Sequence, residues 1–182
     1  KVEEVGNSSI VLSNTAFYPA GGGVPCDFGW IVKGERKFEV NNVTKSEGKI
    51  IHHMASHHDI SVGDDVTCLI DWNRRYMLMR HHTSAHLLAA IMYNELDVLI
   101  TGNQLGTDTS RMDFSMENFD RSLIEKAFEK ANDEIKNNRP VRIYYLNRSD
   151  AMKIPGVVKL ANALPPSIDE LRIVEIVGID IQ

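Results

Sequence analysis

From Asp71 to about Glu95 the sequence carries one long helical period, and a helix of that length divides the chain into an N-terminal and a C-terminal portion. Asp71 suits its first position, because a carboxylate there accepts from the free N–H groups of the opening turn. On a helical wheel Trp72, Tyr76, Met79, Thr83, Leu87 and Ala90 fall on one side and form an apolar arc. His86 lies within that arc, His82 at its edge, and His81 points the opposite way. His82 and His86 are one turn apart on one face, so both imidazoles can reach the same point, which is half of a metal site. The ordinary alternative is two partly buried polar residues satisfied by their neighbours. Against it, an unbonded imidazole beside an apolar arc costs free energy, and Thr83 and Ser84 leave room for a ligand. A metalloprotease helix would need glutamate directly after the first histidine; Thr83 stands there, so protease chemistry is disfavoured.

Before that helix, residues 1 to about 70 read as short strands separated by turns. Ser9–Leu12 is one. Trp30–Val32 and Lys37–Val40 flank the turn Lys33-Gly34-Glu35-Arg36, a hairpin pattern. Lys49–His53 and Asp65–Ile70 form a third pair around a polar loop, and the whole suggests a small β-barrel. His52, His53, His57 and His58 supply four of the seven histidines, and in an exposed hairpin they are expected to be solvated, so no ligand role is assigned to them. Gly21-Gly22-Gly23 sets a specific backbone shape before a rigid exit at Pro25, which suits a loop lying against a ligand. No Gly-Lys-Ser/Thr comes after it, which excludes a phosphate-cradling loop.

After the helix, Gly102–Gly106 reads as a turn into a strand ending at Arg111–Phe114. A second helix starts near Asp120, with Ile124, Ala127, Phe128, Ala131 and Ile135 at core spacing. Asn138-Arg139-Pro140 stops it, Val141–Leu146 is a strand, and Ser149 caps a short helix through Met152. Gly156, Pro165 and Pro166 mark loops before a last strand, Leu171–Val177. The fold class is α+β: an N-terminal small β-barrel over residues 1–70, then a two-layer α/β domain over 71–182.

With 43% hydrophobic and 25% charged residues, the chain is an ordinary globular protein without a membrane-length apolar run or signal peptide. Cys26 and Cys68 are far apart, so a disulfide framework is not expected and a reducing cytosol is the default. A net charge of −5 argues against nonspecific nucleic-acid binding, although Arg74, Arg75 and Arg80 cluster ahead of the histidines.

Phe17-Tyr18-Pro19-Ala20-Gly21-Gly22-Gly23-Val24-Pro25-Cys26-Asp27-Phe28-Gly29 resembles the glycine-rich motif of alanyl-tRNA editing proteins, free-standing relatives of the alanyl-tRNA synthetase editing domain. Arg80 to Leu88 is similar to that family's first zinc motif, Arg111-Met112-Asp113-Phe114 to its R-x-D-F segment, and Arg172 to Gln182 to the lead-in of its second zinc motif. The resemblance covers nearly the whole chain. It implies a zinc-dependent hydrolase, in the cytoplasm, that cleaves serine, and in many members glycine, from mischarged tRNA(Ala). The logic is that of a second sieve, because an alanine pocket cannot strongly reject smaller glycine or hydroxyl-bearing serine.

By the same resemblance His82 and His86 are zinc ligands, and the metal would activate water, polarise the ester or anchor the amino group. Thr83 would test the serine hydroxyl, with helix packing as its ordinary alternative. Gln104 and Asp113 would line the pocket, Gly21 to Gly23 would shape it, and Arg74, Arg75 and Arg80 would contact tRNA phosphates. The sequence departs from the family at Val24, where the motif has glutamine. It also ends where the family places a C-x-x-x-H pair, so further Cys and His ligands are expected beyond Gln182. A missing N-terminal segment is expected too, since Lys1 is not methionine. Two other readings stay open: a tRNA-binding relative without metal or activity, and a zinc hydrolase of another aminoacyl ester. Nothing in the sequence implies a membrane or an obligate protein partner.

Overall fold

The computed structural model describes residues 1–154, 157 and 168–181. Gly156, Pro165 and Pro166, expected in loops, lie outside the described residues. The chain divides into two compact units: Lys1–His81 with Gln104–Ser110, and His82–Asn103 with Arg111–Gln182.

The first unit is built on β1 (Val2–Val5), β2 (Ser9–Leu12), β3 (Gly29–Lys33), β4 (Arg36–Ser46), β5 (Lys49–Met54) and β6 (Thr67–Ile70). They form one six-stranded antiparallel sheet in the order β1-β2-β5-β4-β3-β6. The sheet curls into a half-barrel. Val2 of edge strand β1 donates to Asp64 O at 3.0 Å and accepts from Gly63 N at 2.9 Å, just ahead of the opposite edge strand. Ile10, Leu12, Phe17, Ile31, Val40 and Val43 fill the concave side; alternation along β4 puts Phe38 and Val40 inside, and a register shift between Val40 and Asn42 turns Val43 inward after them. The expected pairing of Lys49–His53 with Asp65–Ile70 is not made. β5 sits between β2 and β4, and β6 pairs with β3, because the curl brings non-consecutive strands together. β1 was not legible: of its four residues only Val2 is buried.

His52 overturns the expectation of solvated histidines. It is fully buried, its Nδ1 lies 3.2 Å from Ile10 O and its Nε2 lies 2.7 Å from Thr15 Oγ1. The carbonyl can only accept, so Nδ1 carries the proton and Thr15 donates to Nε2. His53 meets Thr44 Oγ1 at 2.9 Å, and His58 is buried against Phe38. His52 faces inward because it occupies a core position of the curled sheet, and His58 because the loop after β5 folds it against Phe38.

Helix α1 (Trp72–Leu96) begins as expected, with Asp71 Oδ1 accepting from Arg74 N at 3.1 Å. Its apolar arc is not one face, however. Trp72, Tyr76 and Met79 are exposed and Leu78 is buried, whereas Leu87 through Met92 are all buried. The first half of α1 has an exposed aromatic side, whereas Leu87–Met92 is enclosed on every side, so a single wheel averages two different environments.

The second unit contains β7 (Ile100–Gln104) up to Asn103, paired with β8 (Arg111–Phe114), then α2 (Arg121–Lys136), β9 (Val141–Asn147), the short α3 (Arg148–Ala151), β10 (Glu170–Ile176) and β11 (Asp180–Ile181). β10 lies between β9 and β11, antiparallel to both. Leu87, Leu88, Ile91 and Met92 of α1 form a cluster with Ala127 and Ala131 of α2 and Ile176 of β10. Asp120 caps α2 by accepting from Ser122 N and Leu123 N. Phe128 and Ile135, expected in the core, are exposed: the small residues Ala127 and Ala131 carry the buried stripe. Gly102 lies within β7 instead of in a turn. Among the described residues no helix is long and apolar enough to cross a membrane.

Candidate functional site

The glycine motif forms a closed turn. Gly21 N donates to Val24 O and Val24 N donates to Gly21 O, both at 3.0 Å, with Gly22 and Gly23 between them at φ 62° and 81°. Positive φ at both central residues is the signature of a type I′ turn, so two of the three glycines are required by the backbone itself. Gly21 is different: its φ is not positive, and a Cβ there would meet nothing within 4 Å. The turn is also fastened. Gly23 O accepts from Leu105 N at 2.8 Å, Tyr18 Oη donates to Gly21 O at 3.2 Å, and Ala20 N donates to Val43 O at 3.2 Å. The Leu105 bond places exposed Gln104 one residue from a backbone contact with the turn.

Asp27, at the end of the motif, is buried and accepts from Tyr18 N at 2.7 Å and from Arg75 Nε at 2.9 Å, with Arg75 Nη2 on its second oxygen. Arg75 Nη2 also donates to Ala16 O at 2.9 Å. The hydrogen bond to Asp27 holds the Arg75 guanidinium above its ordinary pKa. Arg74 donates to Cys26 O at 3.2 Å and lies 3.9 Å over the Phe28 ring. The first turn of α1 thus grips residues 16–28 from both arginines. Arg80, one of the three arginines singled out, is exposed and reaches over Tyr76 at 5.9 Å.

At the histidines the structure separates His81 from His82, as their facing requires. His81 Nδ1 meets Ser110 Oγ at 2.8 Å, while the Nε2 atoms of His82 and His86 face each other at 2.9 Å. Partial desolvation by neighbouring atoms lowers the His82 pKa even though the residue stays exposed, which favours the neutral imidazole that a metal ligand must be. Asp180, buried at the start of β11, puts Oδ2 3.8 Å from His86 Nδ1. At that distance the carboxylate makes no hydrogen bond, and its negative charge alone favours the proton on Nδ1, the tautomer whose Nε2 lone pair faces His82. Tetrahedral zinc at ordinary Zn–N distances separates two ligand nitrogens by about 3.3 Å, so the pair would open by a few tenths of an ångström to hold it. The donor set fits half a zinc site. Among the described residues no group of three or more His, Cys, Asp or Glu is arranged to hold a metal. Thr83 is exposed on α1 beside this pair.

Asp113 is held by Arg111, whose Nε and Nη2 donate to its two oxygens at 2.8 and 3.0 Å. Gly102 on the paired strand explains itself here, since a Cβ would stand 2.8 Å from Asp113 Oδ2. Sequence reasoning missed two partners, Asp27 for Arg75 and Asp180 for His86. Both are single acids far away in sequence from the groups they serve, and no local spacing announces them.

A family model described as tRNA synthetases class II (A) matches residues 1–74. The chain is 43% identical to the alanyl-tRNA editing protein AlaX-M of Saccharolobus solfataricus over 185 residues, covering all of this chain and 77% of that protein. It is 42% identical to the AlaX-M of Methanosarcina acetivorans, covering 95% of this chain and 74% of that one. It is also 35% identical to the alanine–tRNA ligase of Methanosphaera stadtmanae, across 98% of this chain and 20% of that much longer protein. The chain belongs to the alanyl-tRNA editing protein family.

Proposed function

We propose that this protein is a trans-editing hydrolase that removes serine, and with it glycine, from mischarged tRNA(Ala) in the cytoplasm. Water adds to the ester carbonyl carbon, the bond to the terminal ribose oxygen breaks, and that oxygen takes a proton, leaving free amino acid and tRNA. What supports the reading above all is the likeness to alanyl-tRNA editing proteins along the whole chain. In this reading residues 1–70 serve as a barrel domain and 71–182 as a two-layer α/β editing domain.

His82 and His86 would hold zinc, which supplies a Lewis-acid centre when bound. The negative charge of Asp180 would bias the His86 ring toward the tautomer that frees Nε2, a positioning role. Thr83 hydrogen-bonds the hydroxyl of serine. Asp113, fixed by Arg111, contacts the aminoacyl group; Gln104 and the bare backbone of the Gly21–Gly23 turn are further substrate-binding candidates. Arg80 and Arg74 meet tRNA phosphates; Arg75, engaged with buried Asp27, secures the glycine motif that the substrate meets.

Deacylation of Ser-tRNA(Ala), Gly-tRNA(Ala) and Ala-tRNA(Ala), with zinc content measured in parallel, tests this. The first two are expected to be hydrolysed and the third spared. His82→Ala should lower zinc content and activity together, and His81→Ala should leave both. Bound zinc and intact tRNA binding without deacylation would leave a binding protein instead of an enzyme.

A further inference from the structure

The chain carries a net charge of −5, yet Trp72 to His82 contains three arginines and no carboxylate. Along the same stretch, in the first unit, large aromatic side chains are left in solvent. Trp72 is 60% exposed and Tyr76 50%, although rings of this size contribute most when buried. They are ordered against each other. Trp72 and Tyr76 stack with centroids 6.2 Å apart and planes within 24°, and the Arg80 guanidinium continues the column 5.9 Å from the Tyr76 ring. Spacing of i, i+4, i+8 sets the three in a row along one side of the helix. Arg80 makes no ion pair among the described residues. Its positive charge is therefore not cancelled locally, in contrast to Arg75.

We infer that the Trp72–Tyr76–Arg80 column is a stacking platform for unpaired nucleotides of the RNA substrate. This deepens the proposed function and rests on RNA being the partner. Planar faces at this spacing accept bases of any sequence, and a flanking guanidinium supplies both stacking and backbone charge. A second protein would favour the aromatics alone; RNA is complementary both to the aromatics and to the guanidinium of Arg80 at the end of the column.

The test measures binding of unacylated tRNA(Ala) and of a short unstructured adenosine oligonucleotide by fluorescence anisotropy. Trp72→Ala and Tyr76→Ala should each weaken both RNAs by about five-fold or more, the low end for loss of one stacked base. Trp72→Phe should recover most of the loss. Because stacking is uncharged, Trp72→Ala should leave the salt dependence unchanged, whereas Arg80→Ala should lower the log–log slope by about one. Unchanged affinity in both alanine variants overturns the inference, as does absence of binding to either RNA by the wild type. A self-association that Trp72→Ala abolishes, with RNA binding intact, would assign the face to a second copy and overturn it equally. Wild-type protein that binds RNA through Trp72 without deacylating Ser-tRNA(Ala) would remove the hydrolase reading and leave this one standing.

Discussion

Replacing Arg75 with methionine isolates the contact that ties α1 to the glycine motif. The perturbation keeps most of the aliphatic bulk and removes the guanidinium, stranding the Asp27 carboxylate, whose side chain is only 2% exposed. Breaking a buried pair from one side costs about 3–5 kcal/mol, because the remaining charge stays desolvated. Arg75 itself is 24% exposed, and Tyr18 N still donates to Asp27, so the low end, about 3 kcal/mol, applies. With a urea dependence of about 2 kcal/mol per molar, the midpoint should fall by about 1.5 M. The assay is specific to the first unit, because Trp30 and Trp72, the two tryptophans of the chain, both lie there and their fluorescence tracks its unfolding. Adding Asp27→Asn to the Arg75→Met protein should recover at least about 1 kcal/mol by removing the stranded charge. A midpoint shift below about 0.5 M, or no recovery in the double variant, would refute the claim that the carboxylate depends on Arg75.

Gly22→Ala should cost about 1 kcal/mol through its positive φ. Gly21→Ala should leave stability unchanged, and a loss of deacylation in that variant, read by rate against thermal midpoint, would report substrate contact. For His52, burial holds the folded-state pKa below its ordinary 6.5, so the unfolded chain binds the proton first. Stability of the first unit is then full above that value and falls as pH drops below it, by up to about 1.4 kcal/mol per unit until the folded-state pKa is passed. His58 is shifted the same way by burial, so His52→Gln should flatten the urea-midpoint profile in part, and an unchanged profile would count against the buried network. Gly102→Ala should push Asp113 out of its Arg111 clamp at little cost in stability, since the ion pair is exposed. Deacylation should fall far more than stability; parallel losses would mean that Asp113 has only a structural role.

The legible features of the sequence were periodic or local. Ser9–Leu12, the hairpin at Gly34, the cap at Asp71 and the second helix from Asp120 each carry their signal within a few residues, and the opposed facing of His81 and His82 comes from helical geometry alone. The features that misled depended on long-range packing. Strand partners for β5 and β6 are decided by how the sheet curls, and the environment of α1 changes along its length, so Trp72 and Ala90 share a face without sharing a neighbourhood. The inward histidines misled for the same reason, because a polar residue's partner forty positions away leaves no local trace. Of the site, the His82–His86 pair was readable by spacing, whereas Asp27 and Asp180 became functional candidates only through contacts.

A glycine-rich stretch is usually an entropic liability, because a chain free to sample many conformations must surrender that freedom when something binds. The turn at Gly22-Gly23 does not carry that liability. Its ends exchange two backbone hydrogen bonds, and its carbonyls are caught by Leu105 N and Tyr18 Oη before any ligand arrives. Under the proposed function, substrate reaching this turn would meet a backbone already held in one shape. Encounters would then be governed by diffusion and charge rather than by waiting for a loop to fold.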